Sequence, residues 1–129
     1  MQEDAQSAAA PATGTRLHHL ALRACEVDVT AAFYRRMFGL KIVRDQRPRS
    51  IWLGLDDGSV VMIEAREPAE PAIPVGSLEL LALRTTPDRK AELKRAALTE
   101  DCFDGETEHT VYLRDPDGRR VGASVYSLE

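Results

Sequence analysis

Residues 17–23 read Leu-His-His-Leu-Ala-Leu-Arg and residues 78–84 read Leu-Glu-Leu-Leu-Ala-Leu-Arg, five identities in seven at an offset of 78 − 17 = 61. Each copy has the length and alternation of a short strand, and each precedes a helical pattern. After the first, Phe33, Met37 and Phe38 lie on a helix beginning near Asp28, with Gly39 as its stop. After the second, Thr86 is placed to cap a helix with Pro87 in its first turn, and Leu93, Ala97 and Leu98 form the apolar stripe. A strand–helix unit recurring at this period marks a duplication, so the chain must fold as two similar halves.

The remainder of each half reads as strands. In the first, 40–44, 50–55 and 59–65 are separated by Arg47-Pro48 and Asp56-Asp57-Gly58; in the second, 109–114 and 120–126 flank Asp115-Pro116-Asp117-Gly118. A weaker strand near Cys102-Phe103 completes a β-α-β-β-β order in both halves. Pro68, Pro71, Pro74 and Gly76 mark the linker between them. Residues 1–15 carry no aromatic and no large aliphatic beyond Met1 and read as a disordered tail; the folded domain is expected over 16–129, with modules at about 16–66 and 77–127.

Composition removes several functions. The net charge is 17 − 21 = −4 and aromatics make up 5% of the chain, which disfavours nucleic acid as a partner, by phosphate contacts or by stacking. No apolar run reaches the roughly 18 residues of a membrane span. Cys25 and Cys102 lack metal or redox spacing and read as reduced thiols; with no signal-peptide pattern at the start, a cytoplasmic location is expected.

The motifs His19-Leu20-Ala21-Leu22-Arg23, Phe33-Tyr34, Phe38-Gly39-Leu40 and Asp115-Pro116-Asp117-Gly118, with 14 residues from His19 to Phe33, resemble those of the vicinal oxygen chelate superfamily. That superfamily holds glyoxalases, bleomycin-resistance proteins and extradiol dioxygenases. The resemblance implies an α+β fold of two βαβββ modules forming a glyoxalase-like open barrel around one cavity, and a homodimer. Whether modules pair within a chain or between chains stays open.

Strand alternation then sorts the residues. The family's cavity face would carry His19, Ala21 and Arg23, then Val60, Met62 and Glu64, then Leu80, Ala82 and Arg84, and finally Thr110, Tyr112, Gly122, Ser124 and Tyr126. The opposite faces, from Leu20 and Leu22 to Val121, Ala123 and Val125, are apolar, as a face packed on helices should be. The family's four metal points fall by resemblance on His19, Glu64, Leu80 and Gly122, of which two cannot ligate. The first expectation is therefore a small-molecule binder with no cofactor, whose ligand meets Arg23, Trp52, Met62, Leu80, Arg84, Tyr112 and Ser124; the two arginines suit a carboxylate or phosphate. The rivals are enzymes: a lyase, isomerase or dioxygenase holding a divalent metal (Fe, Zn, Ni or Mn) on His19, Glu64 and a bulged Glu79, or a metal-free isomerase using His19 and Glu64 as catalytic acid and base. The basic run Arg44, Arg47, Arg49 reads as a solvated face or a local steering patch.

Overall fold

The computed structural model describes residues 12–128. Its elements run β1 (His19–Ala24), α1 (Val27–Phe38), β2 (Lys41–Gln46), β3 (Ser50–Gly54), β4 (Val60–Ala65), β5 (Leu80–Arg84), α2 (Pro87–Thr99), β6 (Phe103–Glu106), β7 (Thr110–Arg114) and β8 (Arg120–Ser124). The β-α-β-β-β order repeats, and so does the strand order: one sheet is β1-β4-β3-β2, the other β5-β8-β7-β6. In each, the first strand runs parallel to the last and the other pairs are antiparallel. The tail expected over 1–15 lies mostly outside the described residues, and residues 12–18 form no helix or strand.

Local signals act as the sequence predicts. Gly39 ends α1 at φ 70°, a left-handed conformation that costs glycine nothing, and its N–H donates to the Arg35 carbonyl at 3.0 Å. The Thr86 hydroxyl caps α2 by accepting from the Arg89 N–H at 3.2 Å. Several strand ends shift by a residue or two, and three differences bear on the site. The last strand stops at Ser124, so Tyr126 lies beyond the sheet and is 56% exposed. The weak strand runs over Phe103–Glu106, with a register shift against β7. Leu98 is on the solvent side of α2, where only Leu93 and Ala97 are buried; the stripe predicted there is narrower because α2 covers less of its sheet.

The helix-facing sides of both sheets form one apolar cluster. Leu22, Ile51, Leu53, Val61 and Ile63 from the first module meet Tyr34 and Met37 of α1, and Val111, Leu113, Val121 and Ala123 from the second meet Leu93 and Ala97 of α2. Contacts between modules come from this same side. The Tyr34 hydroxyl of α1 donates to Asp115 at 2.7 Å, Arg36 of α1 pairs with Glu100 at 2.9 Å, and Arg89 of α2 donates to the Met37 carbonyl at 2.8 Å. The two modules thus meet through helices and hairpin turns, and the outer face of each sheet points away from the junction.

Candidate functional site

The cavity faces are those predicted from alternation, and the strand register now fixes their rows. In the first module the rows are His19–Val60–Gly54, Ala21–Met62–Trp52 and Arg23–Glu64–Ser50. In the second they are Leu80–Arg120–Arg114, Ala82–Gly122–Tyr112 and Arg84–Ser124–Thr110. Internal symmetry therefore pairs Trp52 with Tyr112, Arg23 with Arg84, Glu64 with Ser124 and Ser50 with Thr110. His19, Ala21, Leu80 and Ala82 are exposed, so these faces do not close upon each other within one chain.

The register corrects one expectation. His19 and Glu64 share a face but not a row: His19 stands opposite Val60 and Glu64 opposite Arg23. Four residues of strand separate the two rows, about 13 Å at 3.3 Å per residue, so no acid–base dyad forms between them. His19 instead lies 5.3 Å, ring to ring, from Trp52, and its Nδ1 is 2.8 Å from that of His18. Glu79 is exposed and precedes β5 in sequence, on the other module. The proposed metal set His19, Glu64 and Glu79 is not brought together, and among the described residues no three His, Cys, Asp or Glu side chains are placed to hold a metal ion. Within one chain, the residues do not fit the metal that the fold family implies.

Glu64 has another partner. The Arg23 guanidinium bonds Glu64 through Nη1 and grips Glu70 through Nε and Nη2, the latter at 2.8 Å. Hydrogen bonding to Glu70 above all, then to Glu64, raises the Arg23 pKa against the opposing effect of desolvation. The Arg23 guanidinium in turn holds the Glu70 carboxyl below its ordinary value, helped by the Glu67 N–H. Arg23 is thus neutralised by two carboxylates. Glu70 sits in the linker, where nothing in the sequence marks it.

The second module is more basic. The Arg120 guanidinium carbon lies over the Tyr112 ring, 3.8 Å from its centre, and its Nε bonds Asp104 at 3.0 Å. Arg114 bonds the same Asp104 oxygen at 3.0 Å. Beside them the Thr110 hydroxyl donates to Ser124 at 2.8 Å. Gly122 lets its neighbours close in here: a Cβ would stand only 3.0 Å from Thr110 Cγ2 and 3.3 Å from Leu80 Cδ1. Arg120 and Arg114 were not among the predicted lining residues, although the alternation that points Gly122 and Ser124 outward extends back to Arg120.

A profile of the glyoxalase/bleomycin resistance protein/dioxygenase superfamily matches residues 16–122. The chain belongs to this superfamily. A search of curated proteins finds no match. Among solved structures, the chain is similar to the fosfomycin resistance protein FosX of Listeria monocytogenes (TM-score 0.74, 14% identity, covering 89% of this chain and 94% of that one). It is also similar to oxidase ChaP-H2 (TM-score 0.72, 17% identity, 89% and 96%) and to lactoylglutathione lyase of Agrobacterium tumefaciens (TM-score 0.68, 20% identity, 88% and 95%). At these identities the likeness shows the fold, and function has to come from the site.

Among the described residues no helix is long and apolar enough to cross a membrane. One further space opens between the modules, a cleft of about 750 Å³ whose walls include Phe38, Leu40 and Leu55 on one side and Leu83, Arg84 and Leu93 on the other. Arg84, expected on the cavity face beside Ser124, lines this cleft at the end of β5.

Proposed function

We propose that the protein binds and sequesters a small molecule, a drug or a metabolite, in a crevice that its two sheet faces complete with a second copy of the chain, and that it does so without a resident metal. The observation that carries this reading is the outward exposure of His19, Ala21, Leu80 and Ala82 on faces that also carry the half-buried Trp52, the buried Met62 and the Arg120–Tyr112 stack. Apolar area with a few oriented polar groups is the composition of a ligand pocket, and a second sheet face supplies the missing wall. The neutralised Arg23 closes one end of the row, and the Thr110–Ser124 hydroxyl pair offers hydrogen bonds at the corresponding place in the other module.

Trp52 is the only tryptophan, so its fluorescence reports on the crevice directly. The test titrates purified protein with bleomycin and with fosfomycin, following Trp52 emission, beside sedimentation and elemental analysis of protein prepared without chelator. The expected result is a dimer with no stoichiometric transition metal and a saturable change in Trp52 emission with at least one probe, abolished in Tyr112→Ala. A monomer overturns the two-chain crevice. One transition metal per chain overturns the metal-free reading in favour of the enzymatic one.

A further inference from the structure

We infer that the cleft between the modules is a second binding site, and that its ligand is a mid-sized apolar carboxylate held by Arg84. The argument comes from comparing the two ends of an internally symmetric molecule. At one end, the hairpin turn of the second module meets the start of α1 and the junction is sealed. Asp117 accepts from the Cys25 N–H at 2.8 Å and from the Thr30 hydroxyl at 2.6 Å. Asp115 accepts from Tyr34, and Arg119 donates to the Arg23 carbonyl at 2.9 Å.

At the other end, the hairpin turn of the first module lies beside the start of α2, two of the three sealing groups have been exchanged and the third no longer reaches across. By the repeat of 60 residues between these turns, Leu55 stands for Asp115, Asp57 for Asp117 and Ser59 for Arg119. Asp57 turns back on its own loop, accepting from the Ser59 hydroxyl at 2.6 Å and the Ser59 N–H at 2.9 Å. What remains is the cleft of about 750 Å³, inside the usual range for small-ligand pockets.

The same symmetry names the ligand's head group. Arg23 is filled by the carboxylates of Glu64 and Glu70. At Arg84 the counterpart of Glu64 is Ser124, and among the described residues no acid pairs with the guanidinium. Its fork is open to a bidentate carboxylate of the kind Glu70 offers Arg23. Leu55, Leu83, Leu93 and Phe38 supply the apolar wall for the rest of the ligand. The other charges lining the cleft are Arg89, already bonded to Glu92 and the Met37 carbonyl, Asp57, bonded to Ser59, and Asp56, which opposes an anion.

This site uses none of the Trp52, Met62 and Tyr112 surface of the crevice proposed above, although Arg84 at the end of β5 also borders the row that carries Ser124, and one experiment separates the two. Isotope-labelled full chain is titrated with 2-naphthoate and, in parallel, with its neutral relative 2-naphthalenemethanol, following backbone amide shifts. The expected result is saturable binding of 2-naphthoate with shifts centred on Leu55, Thr85 and Arg89, at least tenfold weaker binding of the alcohol, and at least tenfold weakening in Arg84→Gln. Asp56→Asn, which removes the opposing charge, is expected to bind 2-naphthoate as tightly as wild type or more so. Shifts centred on Trp52 and Tyr112 overturn the cleft site while leaving the crevice reading intact. Equal affinity for acid and alcohol, an unchanged affinity in a folded Arg84→Gln, or no saturable binding at millimolar probe also overturns it.

Discussion

Removing the Asp115 carboxylate should cost more than any other single polar deletion in the molecule. The side chain is fully buried and accepts four hydrogen bonds: from the Tyr34 hydroxyl at 2.7 Å, Arg119 Nη1 at 2.7 Å, the Asp117 N–H at 2.9 Å and the Arg119 N–H at 3.0 Å. Asp115→Ala leaves a tyrosine hydroxyl with no exposed surface and a guanidinium at 14% exposure without their acceptor. Breaking a buried pair by removing one partner typically costs about 3–5 kcal/mol. That is a large share of the roughly 5–15 kcal/mol by which domains are stable. Tyr34→Phe is milder: it removes one donor to a charged acceptor, about 1.5–3 kcal/mol, opens no cavity, and leaves Asp115 its other three donors. The two substitutions should couple. In the Asp115→Ala background the Tyr34 hydroxyl is already orphaned, so Tyr34→Phe there should be neutral or stabilising. Urea unfolding of the four proteins, followed by circular dichroism, measures the cycle. An Asp115→Ala cost below about 1 kcal/mol, or additive effects of the two changes, would refute the assignment of this network as the bond between modules.

Two further outcomes follow from charge and burial. Because Arg23 holds the Glu70 carboxyl below its ordinary value of 4.5, the linker contact is fully present above that pH and is lost as pH falls through the depressed value; hydrogen exchange at the Glu67 amide, which donates to Glu70 at 3.1 Å, should accelerate only in that acid range, and acceleration already beginning at an ordinary glutamate's value would count against the pairing. Burial pushes the Cys102 thiol up, so at mildly alkaline pH a disulfide reagent should modify the exposed Cys25 first and Cys102 slowly, with the order tested in Cys25→Ser.

Alternation makes the faces legible in the sequence, because it is a property of each strand alone: Leu22, Val61 and Val121 on the helix side, Arg23, Met62 and Ser124 on the other. Height along the strand was not legible, because it depends on how two strands distant in the chain come into register. His19 and Glu64 share a parity and still miss each other by four residues. The partners of Arg23 and Arg120 were hidden for a related reason. Glu70 comes from a proline-rich linker 47 residues away and Asp104 from a short, irregular strand, and neither position carries a periodic signal. The Asp-Pro-Asp-Gly turn was read as a hairpin, which it is, but its two aspartates also do work across the module boundary. A turn motif predicts local geometry and says nothing about which distant donors will meet its carboxylates.

The duplication also explains why the molecule has open surfaces where it does. Two equal halves about a pseudo-two-fold would be sealed twice or open twice; this chain is sealed once. The exchange of Asp115 for Leu55 removes a buried acceptor from one junction, and with it the reason for a Tyr34-like donor there: α2 carries Lys94 at the corresponding turn. Lys94 pairs with Glu106 at 2.7 Å instead of reaching toward Leu55, and a cleft lies at that junction. On the outer faces the same divergence turned Glu64 into Ser124, releasing Arg84 from the kind of internal pairing that holds Arg23. Both departures from symmetry fall at the end of β5 where Arg84 stands, and each removes a carboxylate. A carboxylate-bearing ligand restores at that place the charge that the first module supplies from its own chain.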